Sequence, residues 1–201
     1  MLMLIKEPEL LDLKAPGIER IVPEKVRQKI QAIKHKGERS RSRAAWLALL
    51  FLIRDRYGIA AEDLDITEDE FGKPYCTGHP SINFSISHCE GLAACVTDGG
   101  KVGLDVEKIR PFDMRVAERV CSCEELEGII RSKDPSMSFF RYWALKESCI
   151  KAFGRLPCDS VKKISFGTGP ENTECSLKNT EFLVFEEPGG FIVSVCRLTA
   201  I

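Results

Sequence analysis

The stretch that most constrains the fold of this 201-residue chain is residues 102–107, Val-Gly-Leu-Asp-Val-Glu. Apolar and polar residues alternate there, which is typical of a β-strand with Asp105 and Glu107 on one face. Carboxylates this close repel each other and raise each other's pKa, so a strand that carries both requires a nearby cation. Mg2+ suits such a pair because it prefers oxygen ligands and keeps places for water and phosphate. The stretch therefore predicts a strand with an acidic, metal-binding face.

A second charged stretch, residues 143–151, is typical of a helix. Trp143, Glu147 and Lys151 recur every four residues and so share one helix face. An acid and a base would then point the same way. The alternative interpretation is structural, with Trp143 in the core and Glu147 and Lys151 forming a surface ion pair worth roughly a few tenths of a kcal/mol. Both interpretations stay open on spacing alone.

Composition indicates a folded protein without membrane segments. Apolar residues make up 44% and charged residues 29% of the chain, which argues against extensive disorder. The longest apolar run, residues 44–53, is too short to cross a bilayer. The N-terminal apolar residues end at Lys6, before a secretory segment could form. We therefore expect a cytoplasmic protein that folds as one unit of two lobes.

The nine cysteines do not indicate a disulfide framework. Their number is odd, no C-x-x-C pair occurs, and Cys149 and Cys196 lie in apolar patterns. A zinc site at Cys121 and Cys123 is the alternative, but a second spaced pair is missing and the chain has only three histidines. We interpret the cysteines as reduced core thiols, as expected in the cytoplasm.

The N-terminal part of the chain is basic. Residues 19–56 contain eleven Lys and Arg against four Asp and Glu. A long helix predicted at residues 39–57 places Arg41 and Ser42 in its first turn, where cations are unfavourable unless an anion is held there. A solvated surface explains the charge equally well, whereas RNA binding lacks interleaved aromatic residues. A small polyphosphate ligand is the functional interpretation.

The middle of the chain predicts an antiparallel meander. Residues 81–87 alternate, so Ser85 and Ser87 should point outward, and His88 ends that strand. Strands at 92–97 and 101–107 follow tight turns, which would put the paired acids on the third strand of the meander. His88 is then either a structural histidine or a strand-end residue near the acids. The other predicted elements are helices at 114–120, 123–131 and 136–153, strands at 161–166, 174–177, 181–185 and 191–197, and turns at 16–17, 169–172 and 188–190.

At these residues the sequence resembles the 4'-phosphopantetheinyl transferase superfamily. Its two signatures, G-(I/V/L)-D-(I/V)-E and W-x-x-K-E-(A/S)-x-x-K, match residues 103–107 and 143–151 at every position. Signature spacing and chain length resemble the single-chain, surfactin-type class. The resemblance implies an α+β fold of two pseudo-twofold-related lobes, each a small antiparallel sheet packed with helices, at residues 1–100 and 101–201. It also implies an active site at the lobe interface.

The resemblance implies roles for individual residues. Asp105, Glu107 and Glu147 would hold Mg2+, and Lys151 would contact the pyrophosphate of coenzyme A, the co-substrate. Whether Lys29 also contacts coenzyme A stays open. The implied contacts in the N-terminal lobe are Lys25, Ser42 and His88 to the 3'-phosphate, Arg41 and Ser87 beside them, and Lys73 and Pro74 along the adenine.

The implied reaction is attack by a carrier-protein serine hydroxyl on the β-phosphorus of coenzyme A, which gives phosphopantetheinyl-serine and adenosine 3',5'-bisphosphate. Glu147, directly or through a metal-bound water, is our hypothesis for the base. Lys151 is favoured over Lys146 for adding positive charge, because only one helix face can point inward. The implied partner is an apo acyl or peptidyl carrier protein, which is typically acidic. We expect a monomer that binds no nucleic acid and no membrane.

Two other functions fit parts of the pattern. A metal-dependent nuclease or phosphodiesterase also combines separated acids with a lysine, but Lys108 directly follows Glu107 and would point to the opposite strand face. A protein that binds coenzyme A without catalysis would not need the three acids. The pathway of the carrier protein, whether for fatty acids, polyketides or peptides, does not follow from the sequence.

Overall fold

The computed structural model describes residues 1–11, 21–167 and 172–199. The chain divides into two compact units, Met1–Val102 and Gly103–Ile201. Among the described helices, none has the length and hydrophobicity that crossing a membrane requires. Both units combine α-helices with small antiparallel sheets, so the predicted α+β fold is confirmed.

The first unit packs a long helix against a three-stranded sheet. The sheet has the order β1-β5-β4, with Ser85 opposite Val96, while β2 and β3 form a separate antiparallel pair. Leu49 of the long helix lies in the core, and Trp46 of the same helix contacts Phe84 edge to face at 6.0 Å between ring centroids. The described elements are β1 (Leu2–Lys6), α1 (Glu24–Ala32), α2 (Lys36–Tyr57), β2 (Asp65–Glu68), β3 (Pro74–Thr77), β4 (Asn83–Cys89) and β5 (Leu92–Asp98).

Helix α2 begins three residues before its predicted start. The His35 side chain caps it by accepting a hydrogen bond from the Glu38 amide at 3.2 Å. Arg41 and Ser42 therefore lie in the second turn, where backbone amides already bind carbonyls one turn earlier. The predicted anion site between these side chains and free helix-end amides is wrong for this reason.

The second unit packs its longest helix, α5, against a sheet of order β6-β8-β7. Leu145 and Cys149 of α5 and Ile192 and Cys196 of β8 form part of its buried core. The predicted helices and the C-terminal hairpin are confirmed. The described elements are β6 (Val102–Lys108), α3 (Met114–Val120), α4 (Cys123–Arg131), α5 (Pro135–Phe153), β7 (Thr180–Glu187) and β8 (Phe191–Leu198).

The predicted meander is wrong in its third strand. Strands β4 and β5 pair in the predicted antiparallel way, but β6 lies beside β8 in the sheet of the second unit. Alternation identifies a strand without identifying its partner, because the partner is distant in sequence. Ser85 and Ser87 are buried rather than pointing outward into solvent. Both faces of β4 are therefore covered, a possibility that an alternating sequence does not suggest.

The two strands predicted between α5 and β7 are also wrong. Val161–Lys163 forms a short 3-10 turn, and Phe166 takes part only in an isolated bridge. On the Ser165 side of the bridge, the Ser176 hydroxyl accepts from the Ser165 amide at 3.0 Å and donates to the Lys163 carbonyl oxygen at 2.7 Å, so among the described residues a side chain takes the place of further backbone pairing there. The turn predicted at 16–17 and most of the turn predicted at 169–172 lie outside the described residues.

Candidate active site

The acidic face of β6 lies directly against helix α5, and Gly103 makes this approach possible. A Cβ atom at Gly103 would overlap the Ser148 carbonyl oxygen and the Ala152 amide nitrogen, and it would lie 2.9 Å from the Lys151 carbonyl carbon. All three atoms belong to the helix backbone, which cannot yield as a side-chain tip can. Glycine is therefore required where the strand meets the helix.

Asp105 joins the strand to the helix electrostatically. Its side chain is nearly buried, with the residue only 4% exposed, and its Oδ1 lies 2.7 Å from Lys151 Nζ. Low exposure makes this ion pair stronger than a surface pair, because water screens it less. The sequence predicted that both residues belong to the site, and the structure brings them together.

Burial and the charge of Asp105 raise the pKa of both Glu147 and Glu107. Burial raises the pKa of Glu147, and the Asp105 charge raises it further, while Lys151 opposes both effects. Burial and then Asp105 likewise raise the pKa of Glu107, against the lowering effects of Arg110 and Lys151. Repulsion of this kind acts only between close charges, so all three predicted acids lie in one neighbourhood.

Arg110 is a residue of this site that the sequence analysis missed. Its guanidinium lies 3.1 Å from the Glu107 carboxylate, and it also stacks over the Phe140 ring at 4.6 Å from the centroid. These two contacts position the guanidinium beside Glu107. Its position three residues after Glu107 was the available signal, because a chain that turns after a strand brings such residues close.

Asp105, Glu107 and Glu147 supply carboxylate oxygens, the donor chemistry that Mg2+ prefers. Within the described residues, however, no group of three or more His, Cys, Asp or Glu side chains is arranged as a set of metal ligands. Lys151 and Arg110 lie against Asp105 and Glu107 in this arrangement. The donor set fits the ion, and the assignment of Asp105, Glu107 and Glu147 as magnesium ligands stays a prediction.

Lys146 points away from this cluster and into the core of the second unit. It is 1% exposed, and its Nζ lies 2.7 Å from Glu125 Oε2 and 2.9 Å from the Val120 carbonyl oxygen. Glu125 in turn accepts hydrogen bonds from the backbone amides of Ser122 and Phe166. Lys146 is therefore a structural residue that does not reach a ligand, which agrees with the preference for Lys151.

Two further motif residues have clear surroundings. Trp143 is half-buried, and its ring lies 5.9 Å from that of Phe139. Lys108 lies over the Phe191 ring, 6.0 Å from its centroid, and so occupies the strand face opposite Glu107. The lysine next to the acids in sequence thus does not join them in the site.

The first unit contains a pocket of about 410 Å3 that combines positive charge with apolar walls. The predicted residues Lys25, Ser42 and Pro74 meet there, together with Lys29, which the sequence left open. Trp46 is a missed wall residue, and its position one helical turn after Ser42 on α2 was the available signal. The full lining is Lys25, Val26, Lys29, Ser42, Trp46, Ile66, Thr67, Glu68, Pro74 and Ile86.

Of the seven coenzyme A contacts predicted in the N-terminal lobe, four are not among the described residues that line this pocket. Arg41 pairs with Glu9, with 2.7 Å between Nη1 and Oε1. Lys73 donates from Nζ to the Val102 carbonyl oxygen at 3.2 Å.

The remaining two lie side by side on β4. His88 shares a strand face with Ile86, which lines the pocket, whereas the neighbouring Ser87 is buried on the opposite face. The predicted contacts of coenzyme A with all four residues stay predictions.

Comparison with known proteins shows that this chain is similar to 4'-phosphopantetheinyl transferases. A family model described as the 4'-phosphopantetheinyl transferase superfamily matches residues 101–194. The chain is 28% identical over 188 residues to 4'-phosphopantetheinyl transferase Sfp of Bacillus subtilis (strain 168), covering 88% of this chain and 81% of that protein.

Two further matches cover smaller shares of this chain. The chain is 34% identical over 100 residues to 4'-phosphopantetheinyl transferase gsp of Aneurinibacillus migulanus, covering 48% of this chain and 41% of that protein. A crystal structure of Thermotoga maritima holo-[acyl-carrier-protein] synthase matches at 22% identity with a TM-score of 0.43, covering 49% of this chain and 62% of that one.

Proposed function

Because this chain belongs to the 4'-phosphopantetheinyl transferase superfamily, we propose that it transfers the 4'-phosphopantetheine group of coenzyme A to a serine of an apo carrier protein. Adenosine 3',5'-bisphosphate is the second product. The observation that carries the proposal is the cluster of Asp105, Glu107 and Glu147 with Lys151, because both halves of the paired signature contribute to it.

In this proposal Asp105, Glu107 and Glu147 hold Mg2+. When bound, the ion neutralises charge on the diphosphate and on the leaving group. Lys151 binds the pyrophosphate of coenzyme A, since its ammonium is already fixed next to the acids by Asp105. Gly103 lets the strand lie directly against the helix, and this close approach keeps Asp105 next to Lys151.

Glu147 acts as the base. In the protein without metal, burial and the Asp105 charge raise the pKa of Glu147 above the ordinary value for glutamate. The serine O–H proton passes to Glu147 as the serine oxygen bonds to the β-phosphorus. The bond from that phosphorus to the bridging oxygen breaks, and adenosine 3',5'-bisphosphate leaves with the bond electrons.

The pocket of the first unit binds the adenosine end of coenzyme A. Lys25 and Lys29 supply positive charge for the 3'-phosphate, and the Ser42 hydroxyl is a hydrogen-bond donor beside them. Trp46 and Pro74 offer apolar surface to the adenine. The pocket volume of about 410 Å3 is in the range of small-molecule sites.

A nuclease or phosphodiesterase is disfavoured by the position of Lys108, which packs over Phe191 on the other strand face instead of joining the acids.

We also propose a cytoplasmic location, because all nine cysteines are free thiols. A monomer remains our expectation for the oligomeric state.

The test is incubation of the purified protein with coenzyme A, Mg2+ and a panel of apo acyl and peptidyl carrier proteins. We expect the mass of at least one carrier to rise by one phosphopantetheine group, and the rise to be absent when the carrier serine is replaced by alanine. A protein that binds coenzyme A but modifies no carrier in the panel would instead be the catalytically silent alternative.

A further inference from the structure

Two acidic residues of β2 face the two lysines of the first-unit pocket. Lys25 Nζ lies 3.4 Å from Asp65 Oδ1, and Lys29 Nζ forms an ion pair with Glu68. The lysines are one turn apart on α1, and the acids are the first and last residues of β2. Each positive charge of the pocket is therefore matched by a negative charge from the neighbouring strand.

Packing in the core of the first unit keeps these two ion pairs in place. Val26 and Ile30, on the buried side of α1, are 4% and 3% exposed, and Ile66 of β2 is 4% exposed. All three belong to one hydrophobic cluster. Because helix and strand are packed together through these residues, the charged side chains they carry stay within reach of one another.

The two acids differ in one respect. Glu68 lines the pocket, whereas Asp65 is not among the described residues that line it. Consistently, the side chain of Glu68 is 38% exposed and that of Asp65 is 63% exposed. An anion that enters the pocket meets the Glu68 carboxylate directly, while Asp65 stays in solvent, where water screens its charge.

We propose that Glu68 limits the affinity of this pocket for phosphate by competing with the 3'-phosphate of coenzyme A for Lys29. This inference rests on the proposed function. The competition applies equally to adenosine 3',5'-bisphosphate, which keeps the 3'-phosphate after transfer. Glu68 thus holds Lys29 in place in the empty pocket and weakens binding of both the substrate and the product.

The test compares Glu68→Gln with the matched variant Asp65→Asn in the full chain. Isothermal titration with adenosine 3',5'-bisphosphate at low salt should show roughly three- to tenfold tighter binding to Glu68→Gln, because one repulsive charge is removed next to the phosphate. Asp65→Asn should change the affinity less than about twofold. Adenosine 5'-monophosphate, which lacks the 3'-phosphate, should bind both variants as it binds the wild type.

A double-mutant cycle with Lys29→Gln isolates the competition. On the Lys29→Gln background, the further change Glu68→Gln should tighten binding of the bisphosphate by clearly less than it does on the wild-type background. Thermal melting of each variant checks that the fold is intact. Raising the salt concentration should reduce the gain from Glu68→Gln, because the interaction is between partly exposed charges.

Three results would overturn the inference: unchanged or weaker binding in Glu68→Gln, an equal gain in Asp65→Asn, or an equal gain for adenosine 5'-monophosphate. If carriers are modified while any of these occurs, the inference fails and the proposed function stands. If the wild type neither binds the bisphosphate nor modifies a carrier, the proposed function fails and the inference fails with it.

Discussion

The two units of the molecule differ in how their charged side chains are exposed and positioned. In the second unit, Asp105 is nearly buried and pairs with Lys151 on a helix whose backbone touches the strand at Gly103. In the first unit, the side chains of Lys25 and Lys29 are 67% and 59% exposed and pair with acids that are also partly in solvent. One set of charges is fixed by the backbone, and the other is held at the ends of long side chains.

Under the proposed function, this difference corresponds to two tasks. Transfer chemistry depends on charges that are pre-positioned in a site where water screens them little. Recognition of a phosphate tolerates flexible lysines, which can leave one partner for another. We therefore expect substitutions in the acidic cluster to have large effects and substitutions in the lysine pocket to have graded ones.

The largest effect is expected for Glu147→Gln, which removes the proposed base. The transfer rate at saturating Mg2+ and coenzyme A should fall about 10^2- to 10^4-fold, because a glutamine cannot accept the serine proton. Glu127→Gln on the exposed surface of α4 is the matched control and should leave the rate within about twofold. A full transfer rate in Glu147→Gln would contradict the role of Glu147 as the base.

Lys146→Met tests whether this neighbouring lysine is structural. It leaves the buried Glu125 carboxylate without its cation, which should cost about 3–5 kcal/mol of unfolding free energy in urea denaturation. The double variant Glu125→Gln, Lys146→Met should recover part of the loss, because glutamine removes the unpaired buried charge and its single carbonyl oxygen still accepts from one of the two backbone amides that Glu125 binds. Wild-type stability in Lys146→Met would show that the pair is not buried as described.

Gly103→Ala tests the contact between strand and helix. The added methyl group overlaps backbone atoms of α5, so we expect a loss of about 1–3 kcal/mol in stability and a slower transfer reaction. The matched control is Gly99→Ala, where a Cβ atom meets nothing within 4 Å and stability should change by less than about 0.5 kcal/mol. Equal tolerance at both glycines would contradict the close approach.

Lys25→Gln tests the lysine pocket of the first unit, where the charged side chains are largely exposed. Loss of one partly solvated cation should raise the KM for coenzyme A about three- to tenfold and leave kcat nearly unchanged. Lys34→Gln, an exposed lysine after α1 that does not line the pocket, is the control. A large fall in kcat for Lys25→Gln would mean that the first unit contributes to chemistry and that the two tasks are not separate.

The smallest effect is expected in the pH dependence of stability without metal. The pKa of Glu147 is raised in the folded protein, so protonation of this residue stabilises the fold below its unfolded pKa, and that contribution is lost as the pH rises through the folded pKa. Glu147→Gln should therefore melt at a higher temperature than the wild type at neutral pH in EDTA. The difference should vanish well below the ordinary pKa of glutamate, and a difference that persists in acid would contradict this account.

Local patterns placed the members of the acidic cluster on faces of their own elements, whereas the resemblance to the transferase superfamily implied that Asp105, Glu107 and Glu147 share one site. Alternation placed Asp105 and Glu107 on one strand face, and a spacing of four placed Glu147 and Lys151 on one helix face. The partner of β6 was misassigned, because its hydrogen bonds are made to β8, about ninety residues later in the chain. A periodic pattern contains no information on such a partner.

The lysine pocket was predicted only in part. Lys25, Ser42 and Pro74 do meet there, but Glu68 was missed because nothing in the residues around β2 distinguishes a pocket acid from a surface acid. The start of α2 was misplaced since His35 is an uncommon cap. Both errors come from tertiary contacts and capping choices that the chain makes only once folded.

The chain contains two tryptophans, Trp46 and Trp143, and each unit has one. Trp46 lines the lysine pocket, and Trp143 lies one helical turn before Glu147 on α5. Their indole rings are natural fluorophores, so variants that keep only one of them give an intrinsic optical signal for each unit. Under the proposed function, stopped-flow emission from the two single-tryptophan proteins would time the arrival of adenosine and diphosphate separately, without any attached dye.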